Sequence, residues 1–228
     1  MIHQHELKAN DVHAYTLEML KEHLKIKVDG YICKTDMILN VLIKASAENS
    51  SLEAACGDLE ETADSNTIRE YLNEALPIKE LREQEKQVNK VLACGTPADL
   101  VRTDIEVALD FHDEPFYGKQ AGTRQVTCAG QAKKGTTHFV RIATAYIIWR
   151  QVRLTLAVRY VLPEDETLEI LKFLLQRLKK LGFKAKVLYM DKGFASTSII
   201  QYLTAQRQPA IIACPIRGKK GGTRALCR

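Results

Sequence analysis

Two short apolar runs, each stopped by an aspartate, constrain this chain more than any other feature. Ile105-Glu-Val-Ala-Leu-Asp-Phe-His112 carries Asp110 near its end, and Lys186-Val-Leu-Tyr-Met190 is followed at once by Asp191. Each run is rich in strand-forming residues and breaks at a glycine, Gly118 after the first and Gly193 after the second. That pattern predicts strands that each deliver a carboxylate to a sheet edge. Side by side, two such strands converge two carboxylates on one divalent-metal site. The 37 residues after Asp191 hold seven Lys or Arg and no Asp or Glu, so no further carboxylate ligand is expected from them.

The chain has 228 residues, of which 46% are apolar, enough for a real core in one large or two small domains. No stretch approaches the roughly 18 uninterrupted apolar residues of a membrane span, and the first 30 residues are polar rather than signal-like. A cytoplasmic protein without a membrane partner is expected. Six cysteines (Cys33, Cys56, Cys94, Cys128, Cys214, Cys227) are scattered without a C-x-x-C pair, which suggests reduced thiols rather than a zinc site or redox dithiol.

The net charge of +5 hides a split. Residues 1–104 carry 12 Lys/Arg against 19 Asp/Glu, a net of −7, whereas residues 105–228 carry 21 against 9, a net of +12. Metal-binding aspartates in a basic half suit cleavage of a phosphodiester better than handling of a neutral or cationic substrate.

The two halves also differ in periodicity, and the sequence predicts an α+β or α/β protein. Residues 1–95 read as a helical domain, with helical spacing over Val12–Leu20 and again through Met37, Ile38, Val41, Leu42 and Ala45. A helix from Ser51 to Leu59, a turn through Glu61 to Asp64 and a helix from Asn66 to Ala75, with Ser65 as its N-cap, make a helix-turn-helix candidate over 51–76. Thr67, Ile68, Arg69 and Tyr71 then open a recognition helix facing base edges. An ordinary bundle corner fits equally well, and the acidity around it (Glu60, Glu61, Asp64, Glu70, Glu74) argues against strong DNA binding by this helix alone.

A charged helix from Ile78 to Leu92 leads to a break at Cys94-Gly-Thr-Pro97, suited to a domain boundary. Beyond it come a strand over Ile105–Phe111, a long hairpin from Thr137–Trp149 and Val152–Leu162, and an amphipathic helix from Glu166 to Leu181 with Leu168, Leu171, Leu175 and Leu178 on one face. A strand over Ala185–Met190, a helix opening near Ser196 and a strand over Ala210–Ala213 complete an order β-β-β-α-β-α-β. Three strands paired in sequence and a fourth returning through a right-handed helical crossover make the first and fourth strands neighbours. Asp110 and Asp191 are then adjacent.

At these residues the chain resembles the DDE insertion-sequence transposases. The matching text is Ala108-Leu-Asp-Phe-His-Asp-Glu-Pro-Phe-Tyr-Gly118, then Lys133-Lys-Gly-Thr-Thr-His-Phe139 with Ala143-Thr-Ala-Tyr146, and Leu188-Tyr-Met-Asp-Lys-Gly-Phe194. The similarity extends to the helical N-terminal segment and to Gly221-Gly-Thr-Arg-Ala-Leu226. It implies a ribonuclease H-like mixed sheet flanked by helices over 104–228, incomplete at its C-terminal end. It further implies Asp110 and Asp191 as catalytic metal ligands for two Mg²⁺ or Mn²⁺ ions, and as DNA partners the element's ends and a target, with a homodimer possible. The family's third acidic residue is a glutamate on a later helix, which this chain does not reach. The expectation is therefore the front part of a transposase, inactive as it stands because two carboxylates under-ligate the second ion.

Other residues invite weaker readings. His112, two after Asp110, and Lys192, next to Asp191, are candidates for supporting the aspartates, although packing or hydrogen bonding is the commoner role for such a histidine. Asp113 and Glu114 are expected solvated in a turn before Pro115. Lys133, Lys134, Arg141, Arg153 and Arg159 are candidates to track phosphates. Gly218-Lys-Lys-Gly-Gly222 lacks phosphate-loop spacing and reads as a basic loop with Lys219 and Lys220 as DNA contacts. Two rival functions are a DNA-binding or dimerising remnant without catalysis, and a different metal-dependent phosphoester hydrolase using Asp110, His112 and Asp191.

Overall fold

A computed structural model describes residues 8–101, 104–118 and 125–216 of the chain. It separates into two compact units, Met1–Cys94 and Gly95–Arg228.

The first unit contains helices α1 (Ala9–His23), α2 (Thr35–Glu48), α3 (Leu52–Asp58), α4 (Ser65–Ala75) and α5 (Leu81–Cys94). Its core gathers Ile26, Cys33, Ile38, Leu39, Val41, Ala55 and Ile68, so α2 supplies the central stripe and α3 and α4 add one fully buried residue each. Ser51 caps α3 by accepting from the Ala54 amide at 3.1 Å. At α4 the cap lies one residue earlier than expected: Asp64, not Ser65, accepts from the amides of Asn66 (2.9 Å) and Thr67 (3.2 Å). A carboxylate satisfies two orphan amides where one hydroxyl rotor reaches one, and its charge complements the helix dipole.

The second unit is a mixed sheet with helices α6 (Thr167–Lys180) and α7 (Thr197–Ala205). Its strands are β1 (Asp104–Pro115), β2 (Cys128–Lys133), β3 (Thr136–Trp149), β4 (Val152–Val161), β5 (Lys184–Met190) and β6 (Ala210–Ile212). β3 runs antiparallel to β1 on one side; on its other side β4 pairs with Arg141–Trp149 and β2 with the N-terminal end. β5 lies parallel to β1, and β6 parallel to β5. β1 is thus central, flanked by an antiparallel and a parallel neighbour.

The hairpin turns are written locally. Arg150 and Gln151 (φ 48° and 68°) join β3 to β4, and Lys134 and Gly135 (φ 51° and 80°) join β2 to β3. Both are two-residue turns with positive φ at both positions, the kind whose twist matches a hairpin. β2 was not expected, since Cys-Ala-Gly-Gln-Ala-Lys holds no β-branched or aromatic residue. It is held by its turn and by pairing with β3 rather than by propensity.

α6 packs across β3, β4 and β5, and α7 packs beside it. Its buried face is Ile170, Leu171, Leu174 and Leu178; Leu168 and Leu175 lie at the margins, one position round the helix from the face the leucine spacing suggests. The helix stops at Gly182 (φ 83°), where the amides of Gly182 and Phe183 bond the carbonyls of Lys179 and Leu178, each at 3.0 Å. This closure turns the chain directly into β5. Leu174→Ala should therefore cost about 2–5 kcal/mol and Leu175→Ala less than about half of that, measured by urea denaturation. Equal costs would place the core contact on the wrong face of α6.

Candidate functional site at the ends of β1 and β5

The last paired residues of the β1–β5 ladder are Leu109 and Met190, so Asp110 and Asp191 are the next residues on two adjacent parallel strands. Asp191 stands at the C-terminal end of β5, and beside it lies Asp110 on β1, a strand that runs on past it to Pro115. The charge of Asp110 is felt at Asp191. Burial raises the Asp191 pKa above the ordinary carboxylate value, the Gly193 amide opposes that rise, and the charge of Asp110 adds to it.

The backbone after Asp191 fixes its side chain. Asp191 caps a 3-10 turn, Lys192–Phe194, and its Oδ1 accepts from the Gly193 amide at 2.9 Å. Phe194, fully buried, stacks on Phe111, the residue after Asp110, with ring centroids 4.4 Å apart and planes 15° apart. The segments carrying the two aspartates are thus joined twice, by the parallel ladder below them and by an aromatic stack beside them.

Beside Asp191 opens a cleft of about 600 Å³ whose polar lining includes Asp113, Arg141, Asp165 and Lys192. Asp113 is not in a solvated turn as expected, because β1 runs on to Pro115 and pairs Asp113 with Arg141 of β3. Their side chains make a bidentate ion pair at 2.6 and 3.0 Å, both about 30% exposed. That contact holds the Arg141 guanidinium in its charged form, and Asp191 adds to the effect. A strand register, invisible in a single stretch of sequence, aligns the pair.

The other candidates separate. His112 bonds Glu114 at 2.5 Å on the exposed side of β1 rather than either aspartate. Lys192 is exposed, and its charge favours ionised Asp191. Lys133 and Lys134 are exposed at the β2–β3 turn. Arg153 lies over the ring of Tyr146 on β3 at 3.7 Å, and Arg159 over the ring of Phe173 on α6 at 4.6 Å, so each covers an aromatic side chain of its own unit. Lys219 and Lys220 lie outside the described residues. In the first unit, Thr67 donates its hydroxyl to the Asp64 cap at 2.6 Å, Arg69 bonds Ser65 and Asn66 of its own helix, and half-buried Tyr71 packs against Gly30. Among the described residues, no group of three or more His, Cys, Asp or Glu comes together to hold a metal.

The residues to which the sequence reading gave no part in the site are Phe111 and Phe194, and Gly193 was read only as a strand break. Their signal was present: an aspartate, one residue, a glycine and an aromatic directly after a strand.

No family model matches the chain, and no curated protein does. Among solved structures it is similar to a piggyBac transposase synaptic complex with hairpin DNA, at 11% identity and a TM-score of 0.45, over 98% of this chain and 45% of that one. It is also similar to the Drosophila P element transposase strand transfer complex, at 9% identity and a TM-score of 0.41, over 90% of this chain and 47% of that one. The chain spans less than half the length of each. No helix among the described residues is long and apolar enough to cross a membrane.

The raised pKa of Asp191 has a stability consequence. Its folded state holds the proton more tightly than the unfolded chain does, so its contribution is favourable below the unfolded carboxylate pKa and is lost as pH rises through the folded value. Asp191→Asn, which keeps an oxygen to cap Gly193, should raise the metal-free melting temperature at neutral pH, with the gain vanishing toward pH 3. A gain independent of pH would exclude this cause.

Proposed function

We propose that the second unit is the catalytic domain of a DNA transposase of the DDE insertion-sequence kind, ribonuclease H-like in fold, with Asp110 and Asp191 as its metal-binding acids. The observation that carries this reading is the β1–β5 register, which ends at Leu109 and Met190 and sets the two aspartates side by side. The sheet order supports it: an antiparallel set through β1, β3 and β4, then β5 and β6 added parallel to β1.

The residues present fit a divalent cation. Two like-charged carboxylates held together gain from a cation between them, and the backbone amides after Asp191 offset its charge only in part. A bound Mg²⁺ or Mn²⁺ supplies Lewis-acid stabilisation to charge on a phosphoryl oxygen and to the attacking and leaving oxygens. The chain's own residues orient the acids through the parallel ladder and the Phe111–Phe194 stack, while exposed Lys192 adds positive charge for an incoming phosphodiester. A two-ion arrangement calls for a third carboxylate. None of the described residues joins Asp110 and Asp191 in a three-ligand group.

DNA is the proposed substrate, both as an element's ends and as the target of the freed 3′-hydroxyl. Its support is the +12 net charge of residues 105–228, with Lys133 and Lys134 exposed on the β2–β3 turn and Lys219 and Lys220 further along the sequence. The acidic first unit offers Arg69 on α4 as its DNA-facing candidate in a helix-turn-helix reading. A cytoplasmic, dimer-forming protein completes the proposal.

Two measurements test this. In titration calorimetry with Mn²⁺, Asp110→Asn and Asp191→Asn should each weaken binding by about tenfold or more without unfolding the chain; unchanged affinity in both overturns the site. For binding to a DNA duplex, neutralising about five phosphates should give a log affinity against log salt slope near −4.5. A slope near zero would remove DNA as the partner.

A further inference from the structure

Gly193 occupies the tightest point of the candidate site. A Cβ built on it would lie 2.9 Å from Phe111 Cδ2 and 3.2 Å from Phe111 Cε2, and 3.0 Å from Oδ1 of Asp191. One of these neighbours must then give way. The Phe111 ring is stacked on fully buried Phe194, so moving it would break that stack. The Asp191 carboxylate is free to rotate, and turning it breaks its 2.9 Å bond to the Gly193 amide.

We propose that Gly193 and Phe111 are positioning residues for the metal-binding acids: the bare Cα of Gly193 lets the Phe111 ring close against the 3-10 turn, and that contact fixes the Asp191 carboxylate beside Asp110. The inference rests on the metal-site reading and adds to it the residues that set its geometry. Gly193 is needed here for its missing side chain, since its φ lies outside the left-handed region. Phe111 serves because it follows Asp110 directly on β1 and meets the turn directly after Asp191. The two acids are braced by residues that are not acids.

The test is a double-mutant cycle on the full chain, read by loss of the free Mn²⁺ electron paramagnetic resonance signal, with urea unfolding in parallel. Gly193→Ala should weaken Mn²⁺ binding by about 10- to 100-fold, the range for residues that orient metal ligands. Phe111→Leu, which loosens the brace, should weaken it several-fold. The double variant should bind no more weakly than Gly193→Ala alone, because both changes act through one contact.

Wild-type affinity in Gly193→Ala, or losses that add in the double variant, overturns the proposal, as does a fall in stability with no change in affinity. If Gly193→Ala fails to fold, Phe111→Leu decides by itself, and unchanged Mn²⁺ affinity in that variant overturns the brace. Absence of Mn²⁺ binding by the wild-type chain overturns the metal-site reading, and this inference with it.

Discussion

The parallel pairing of β1 with β5 is the constraint on which the candidate site depends. These strands are far apart in sequence and become neighbours because α6 packs on the sheet and its left-handed glycine stop at Gly182 returns the chain beside β1. Deep core packing enforces the arrangement: Leu109 and Leu188 on the strands and Leu171 and Leu174 on the helix are almost fully buried. A register slip by one residue would turn these side chains to the other face and carry one aspartate away from its partner. The cost of separating the acids is therefore borne by the core.

The same packing explains why a charged pair persists at a partly buried strand end. Like charges at close quarters oppose folding unless they are protonated or matched by cations. Here the opposition is moderated by the Gly193 amide, by Lys192 and more distantly by Arg141, which is itself tied to Asp113. This excess of negative charge is what the proposed divalent cation would balance, whereas a purely structural ion pair would be neutral within itself.

Much of this was legible in the sequence, for identifiable reasons. The strands that carry Asp110 and lead to Asp191, the long hairpin and α6 were all written by local pattern, and the right-handed crossover rule makes the two aspartate-bearing strands neighbours. What was not legible depended on partners distant in sequence. Asp113 looked like a turn residue because only pairing with β3 extends β1 to Pro115. On α6 the leucine spacing found Leu171 and Leu178 of the buried face and the partly buried Leu168 and Leu175 at its margin, but not Ile170 and Leu174, which the sheet buries. Phe111 and Phe194 carried no role in the sequence reading, because only the fold stacks them beside the two acids.

The central claim is that one cation site lies between Asp110 on β1 and Asp191 at the end of β5. Paramagnetic broadening by Mn²⁺, recorded in amide correlation spectra of the full chain at sub-stoichiometric ion, locates that site without relying on activity. The amides of Phe111 and His112 on β1, and of Lys192, Gly193 and Phe194 after β5, should broaden first and together. Broadening centred on the acidic helices of the first unit, or at only one of these two segments, would contradict the account.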